Sequence, residues 1–117
     1  MYIYVLRLEN DKYYVGKADD PYKRFEKHVE GKGARWTRRY KPLEIIETYP
    51  SENPFDEDKT TKEYMAKYGI DNVRGGSYVS KKIGEQEREF IQREIWMALN
   101  MCIKCGGKHL SRFCTNS

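Results

Sequence analysis

Short runs of β-branched and aromatic residues open the chain, and further on apolar residues recur at the three- to four-residue spacing of helices. Residues 2–8 (YIYVLRL) and 13–16 (YYVG) read as two strands, joined by the turn-forming Glu9, Asn10, Asp11 and Lys12 as a hairpin. The length of that turn decides the face each side chain occupies. A three-residue loop over 9–11 pairs Leu8 with Lys12 and puts the even-numbered residues of both strands, Tyr4 and Tyr14 among them, on one face. A two-residue loop would separate them, and the three-residue loop is the expected one.

Asp20 followed by Pro21 is an N-cap with proline at the first helical position, so a helix is predicted over 21–30, with Tyr22, Phe25 and Val29 as its buried stripe. Gly31 and Gly33 end it, and residues 34–41 (ARWTRRYK) suggest a short second helix. A strand is predicted at 43–49, a polar loop at 50–54 and a helix at 56–68 with Gly69 at its end. Val73 precedes a bend at Gly75 and Gly76, and residues 77–80 read as extended. Ile83, Phe90, Ile91, Ile95 and Leu99 fall near one face of an amphipathic helix over 83–100. The expected fold is α/β (α+β): a small central mixed or antiparallel sheet of three to four strands, flanked by helices and followed by a short C-terminal segment. The divisions are a core over 1–80, the amphipathic helix over 81–100 and a cysteine-bearing segment over 101–117.

Composition sharpens this picture. Leu, Ile, Val and Phe number only 22 of 117 residues, a fraction typical of disordered chains, yet 16 aromatics and a net charge of +4 favour one small folded domain. No apolar run is long enough to span a membrane and the first residues lack a secretory pattern, so an intracellular protein is expected. The charge is segregated: residues 17–42 carry nine basic and four acidic side chains, whereas 43–63 carry seven acids against two lysines. Basic blocks around an acidic cluster suit a protein that grips phosphates and holds a cation near them.

All three cysteines lie in the last 16 residues. With His109 they give Cys102, Cys105, His109 and Cys114, a C-x2-C-x3-H-x4-C set able to close a tetrahedral Zn²⁺ site, with Gly106 and Gly107 permitting the tight turn. The segment resembles a retroviral-type zinc knuckle, with three rather than four residues between the second Cys and the His. Lys104, Lys108 and Arg112 can hold phosphate there, and Phe113 can stack on an unpaired base.

Tyr2-Ile3-Tyr4 and Tyr14-Val15-Gly16, with Lys17 after the second tripeptide, Arg24 ten residues beyond Tyr14, His28 one turn further and a later acidic helix, together resemble the GIY-YIG endonuclease domain over about residues 1–80. The stretch EDKTTKEYMAKYGIDNVRGGSY is similar to a subgroup met in large DNA viruses and some fungi, which would imply the cytoplasm or nucleus of an infected cell. The resemblance implies metal-dependent hydrolysis of DNA with catalytic Mg²⁺ or Mn²⁺ and structural Zn²⁺, on plain duplex or on branched or single-stranded regions, and no membrane partner.

The residue types suit such chemistry. Arg24 offers a fork of donors to a phosphate, and His28 at i+4 shares its helix face. Tyr4 and Tyr14 can relay or accept the proton of the attacking water, their pKa values being expected to fall beside Lys17, Arg24 and a metal. Asp56, Glu57, Asp58 and Glu63 are all available as the metal carboxylate; the subgroup resemblance and its spacing to Asn72 point to Glu57, with Asn72 beside the site. Arg35, Arg38 and Arg39 add a basic surface for nucleic acid. Taken singly, the tyrosines can be cross-strand packing, Arg24 a partner of Asp20, and His28 a satisfied core imidazole. The rival functions are a non-catalytic nucleic-acid-binding protein on the same scaffold and a zinc-dependent protein-interaction module.

Overall fold

The computed structural model describes residues 1–78 and 83–98. The first compact unit, Met1–Lys82, is built on a four-stranded mixed sheet. Strands β1 (Tyr2–Leu8) and β2 (Lys12–Ala18) form the predicted hairpin, with Leu8 opposite Lys12 and Tyr4 opposite Gly16. This is the register that a three-residue loop dictates. Asn10 and Asp11 take the left-handed backbone conformation in that loop, a region their short polar side chains tolerate.

Helices α1 (Pro21–Val29) and α2 (Arg35–Arg39) follow, then β3 (Pro42–Pro50), α3 (Asp56–Tyr68) and β4 (Val73–Gly75). The strand order is β3-β1-β2-β4, with β1 antiparallel to both neighbours and β4 parallel to β2. Pairing to β3 is interrupted on both sides of Leu6 and Arg7, which carries Ile45 onto the same face as Leu6.

The even-numbered face of the hairpin packs Tyr4, Leu6 and Leu8 against Trp36, with Tyr14, Phe25, Tyr40 and Ile45 around them. Trp36 donates its indole N–H to the Tyr13 carbonyl at 3.0 Å, which ties α2 to β2. On the odd-numbered face Ile3, Val5 and Val15 are fully buried, and Tyr13 stacks on Tyr68 and tilts against Tyr64 of α3. Those ring contacts put the end of α3 beside the start of β2, so α3 runs antiparallel to β2 and its first turn lies toward Lys17.

Two expectations are corrected here. The buried face of α1 is Pro21, Phe25 and His28, whereas Tyr22 is 68% exposed and Val29 44%. At about 100° per residue the first three cluster within about 60° of arc while Tyr22 and Val29 lie to one side. The predicted stripe fails because a histidine, bonded at both ring nitrogens, occupies the core position. Ser77, expected to be extended, lies in a turn with Gly76, whereas Tyr78 pairs with Gly75 in an antiparallel bridge of two backbone hydrogen bonds; Asp58 accepts from the Ser77 amide at 2.7 Å and its hydroxyl at 2.9 Å, and residues 79–80 lie outside the described residues.

The second unit begins at Ile83 and contains α4 (Glu85–Ala98). Ile83, Ile91 and Ile95 are buried, but Phe90, predicted among them, is exposed because it sits a quarter-turn from Ile91. Leu99 and the cysteine segment lie outside the described residues. Among the described residues no helix is long and apolar enough to cross a membrane.

Candidate active site

The site grows from the pairing of Tyr4 with Gly16. A Cβ at position 16 would overlap the Tyr4 phenol, so glycine is what lets the ring lie flat across β2. From there the Tyr4 hydroxyl reaches Nε2 of His28 at 2.9 Å. Nδ1 of the same imidazole lies 2.8 Å from Oγ1 of Thr37 on α2, whose hydroxyl donates to the Ala34 carbonyl at 2.8 Å. Gly33 leaves the space the imidazole fills, since a Cβ there would overlap Nδ1. The Tyr14 ring completes the group, 6.4 Å from Tyr4 and 5.2 Å from His28 between centroids.

Arg24 is exposed on the flank of α1 next to His28, opposite the flank that carries Tyr22 and Val29. The charge of its guanidinium acts on Tyr4, Tyr14 and His28. Asp20 does not hold it through its side chain: one Asp20 carboxylate oxygen caps α1, accepting from the Tyr22 amide at 3.1 Å and the Lys23 amide at 3.2 Å. Arg24 thus sets an exposed, charged fork of donors beside the buried Tyr4–His28 pair.

The acidic side comes from the first turn of α3. Pairing of β4 stops at Val15, and the first turn of α3 brings the half-buried Glu57 close enough for its charge to act on both Tyr4 and Tyr14. Lys17 faces Glu57 in turn and stabilises its charge. The neighbouring carboxylates are engaged elsewhere. Asp56 accepts from the Glu52 and Asn53 amides at 2.7 and 3.0 Å, Asp58 holds the Ser77 turn, and Glu63 lines a separate cavity of about 360 Å³ with Tyr49 and Lys59.

The electrostatics differ from expectation in one respect. Burial raises the pKa of both Tyr4 and Tyr14, with the Glu57 charge adding to the rise, and the opposing pull of Arg24 does not overcome it. Both phenols are therefore neutral at pH 7. Burial, reinforced by Arg24, brings His28 down to about 4, so the imidazole is neutral as well. Burial and Asp58 push Glu57 upward while Lys17 pulls it down.

Asn72 does not join this group. Its amide oxygen accepts from Lys12 at 2.6 Å and its amide nitrogen donates to the Tyr68 carbonyl at 2.7 Å, so it closes the end of α3 at the start of β2. Lys12 and Gly16 are four residues apart along the strand, about 13 Å. Arg35, Arg38 and Arg39 are exposed on α2, with Arg39 donating to the Tyr40 hydroxyl. Cys102, Cys105, His109, Cys114, Lys104, Lys108, Arg112 and Phe113 lie outside the described residues. Thr37, which the site reaches through His28, escaped sequence reasoning; a lone threonine in a run of basic residues carries no periodic signal.

Among the described residues no three His, Cys, Asp or Glu side chains gather to hold a metal. Glu57 alone suits a Mg²⁺ ion, which binds through one or two carboxylates and completes its shell with water and substrate phosphate.

A family model described as the GIY-YIG catalytic domain matches residues 1–68. A UPF0213 protein of Halalkalibacterium halodurans is 30% identical over 84 residues, covering 66% of this chain and 87% of that protein. One of Xanthomonas campestris pv. campestris (strain 8004) is 39% identical over 49 residues, 42% of this chain and 48% of that protein, so the chain spans about half the length of some relatives it matches. The UPF0213 protein YazA of Bacillus subtilis is 36% identical over 45 residues, 38% of this chain and 46% of that protein. All three relatives are bacterial, whereas the sequence resemblance had pointed to a viral subgroup. No solved structure matches the chain.

Proposed function

Because the chain belongs to the GIY-YIG catalytic domain family, we propose that it is a metal-dependent endonuclease hydrolysing DNA phosphodiester bonds, with Tyr4, Tyr14, Lys17, Arg24, His28 and Glu57 as its working residues. The observation that carries this reading is the convergence of a guanidinium, two tyrosines, a neutral imidazole and a half-buried carboxylate around the central strands β1 and β2. Packing alone does not require a cation and an anion to face the same pair of phenols.

In this reading Arg24 binds the scissile phosphate and offsets the negative charge that grows on it in the transition state. Glu57 holds Mg²⁺ or Mn²⁺, which supplies Lewis-acid polarisation of the phosphate and stabilises the leaving 3′ oxygen. Lys17 favours the charged form of Glu57 against burial and Asp58, and adds positive potential for the substrate. Tyr4 and Tyr14, un-ionised at rest, pass on the proton of the attacking water rather than hold it as preformed phenolates. Asn72 contributes by fixing the end of α3, which carries Glu57 at its other end.

Residues 101–117 are proposed to form a zinc knuckle. Cys102, Cys105, His109 and Cys114 close one structural Zn²⁺ site, and Lys104, Lys108, Arg112 and Phe113 join Arg35, Arg38 and Arg39 in gripping DNA. A substrate with branched or single-stranded regions suits so small a reading surface. End-labelled duplex, branched and single-stranded DNA, incubated with the chain in Mg²⁺ or in chelator, test the proposal. Metal-dependent internal cuts support it; tight binding without cutting under any of these conditions overturns it in favour of a non-catalytic binding protein.

A further inference from the structure

The hydrogen bonds around His28 decide where its proton sits. The Tyr4 hydroxyl is buried, so its hydrogen needs an acceptor within the fold. The nearest one is Nε2 of His28, at 2.9 Å. A neutral imidazole with a bare Nε2 carries its hydrogen on Nδ1, and that hydrogen points at Thr37 Oγ1 at 2.8 Å. Thr37 can accept there because its own hydroxyl hydrogen is directed to the Ala34 carbonyl at 2.8 Å. Every donor then has one acceptor, in agreement with the lack of any unsatisfied buried side-chain nitrogen or oxygen among the described residues.

We propose that Thr37 is a positioning residue, holding His28 in the Nδ1–H tautomer so that Nε2 faces Tyr4 as a proton acceptor. The role rests on the nuclease reading for its consequence, but the tautomer itself does not. In the reaction the water proton passes to the Tyr4 oxygen as the Tyr4 proton passes to His28 Nε2. The hydroxide so formed bonds to phosphorus, the bond from phosphorus to the 3′ oxygen breaks, and that oxygen is protonated from solvent. The imidazolium, both nitrogens now protonated, is held by Thr37 and Tyr4 until it returns its proton to solvent. Tyr4, Tyr14 and Arg24 are the titratable or charged groups that face the ring from β1, β2 and α1; α2 presents the uncharged Thr37. The opposite tautomer would place an N–H against Tyr4 and close the route. The feature is specific to the hydroxyl, since a residue needed only for its bulk would be replaced by valine without loss.

The test is ¹⁵N NMR of the histidine side chains in the full-length protein, which has two histidines; the His28 signals are those lost in His28→Gln. At pH 7 the wild type should show Nδ1 as the protonated nitrogen and Nε2 as the bare one. In Thr37→Val the two tautomers should mix and kcat should fall about 10- to 100-fold, less than the ~10⁴ seen where a histidine that itself contacts the nucleophile has the wrong tautomer. KM should change less than about twofold, since the group is away from the phosphate grip. Thr37→Ser should restore both tautomer and rate. An Nε2–H tautomer in the wild type overturns the proposal even if Thr37→Val fails to fold. So does an unchanged tautomer and rate in a folded Thr37→Val. A wild type that cuts no DNA overturns the nuclease reading, and the tautomer measurement still judges Thr37.

Discussion

Replacing Gly16 by alanine adds one methyl group where the Tyr4 ring crosses β2. The new Cβ would overlap the Tyr4 phenol carbon and oxygen and lie 2.8 Å from Cε1, so the ring must leave its place. The backbone at Gly16 is not left-handed, and alanine is the better residue there by about 0.5–1 kcal/mol on conformational grounds. Against this stand about 1–3 kcal/mol for forcing a methylene into a packed core and about 1 kcal/mol for the buried hydrogen bond from Tyr4 to His28. The net loss is about 2 kcal/mol, a fall in Tm of roughly 10–15 °C for a unit of this size. Urea unfolding followed by Tyr and Trp fluorescence measures it. The companion is a cycle with Tyr4→Ala, in which the methyl group meets no ring, so the two changes should depart from additivity by more than 1 kcal/mol. A Gly16→Ala protein within about 0.5 kcal/mol of wild type, or an additive double variant, would refute the packing that places Tyr4 over His28.

His28 should make stability pH-dependent. Its pKa falls from 6.5 in the unfolded chain to about 4 in the fold, so its contribution is complete above pH 6.5 and is lost as pH drops through 4, by about 3 kcal/mol. Unfolding of wild type and His28→Gln between pH 3.5 and 7.5 should show the difference between them shrink with acid, and parallel curves would contradict the buried neutral imidazole. Truncation after Asn100, or Cys105→Ser, should remove one equivalent of bound zinc and weaken DNA binding with a shallower salt slope, while turnover at saturating DNA survives; unchanged affinity would remove the gripping role from the tail.

Much of the fold was legible because local rules agreed with one another. The hairpin register followed from a loop of three residues, and that alone brought Tyr4 and Tyr14 to one face. The misreadings share a cause. On α1 a tyrosine and a valine outrank a histidine in any apolar count, yet His28 is buried because Tyr4 and Thr37 satisfy its two nitrogens, which only the fold reveals. The tyrosine pKa values were expected to fall beside positive charge, but desolvation, invisible in a sequence, outweighs Arg24. Four carboxylates were available in the sequence, and only the family resemblance pointed to Glu57. They separate once Asp56 is seen capping its loop and Asp58 the Ser77 turn, which leaves Glu57 facing Lys17 and the phenols. Asn72 matched a spacing, and spacing carries no direction: it closes the opposite end of α3.

The central claim is tested most directly by single-turnover cleavage of a labelled DNA substrate in Mg²⁺ by wild type, Arg24→Ala and Glu57→Gln side by side, with unfolding curves for each. Both side chains are at least partly exposed, so both variants should fold within about 0.5 kcal/mol of wild type. The wild type should cut, and each variant should lose about 10²–10³-fold or more in rate, the size of effect seen when one transition-state donor is removed. Full cleavage by folded Glu57→Gln would take the metal away from that carboxylate, and full cleavage by folded Arg24→Ala would contradict the account of the site.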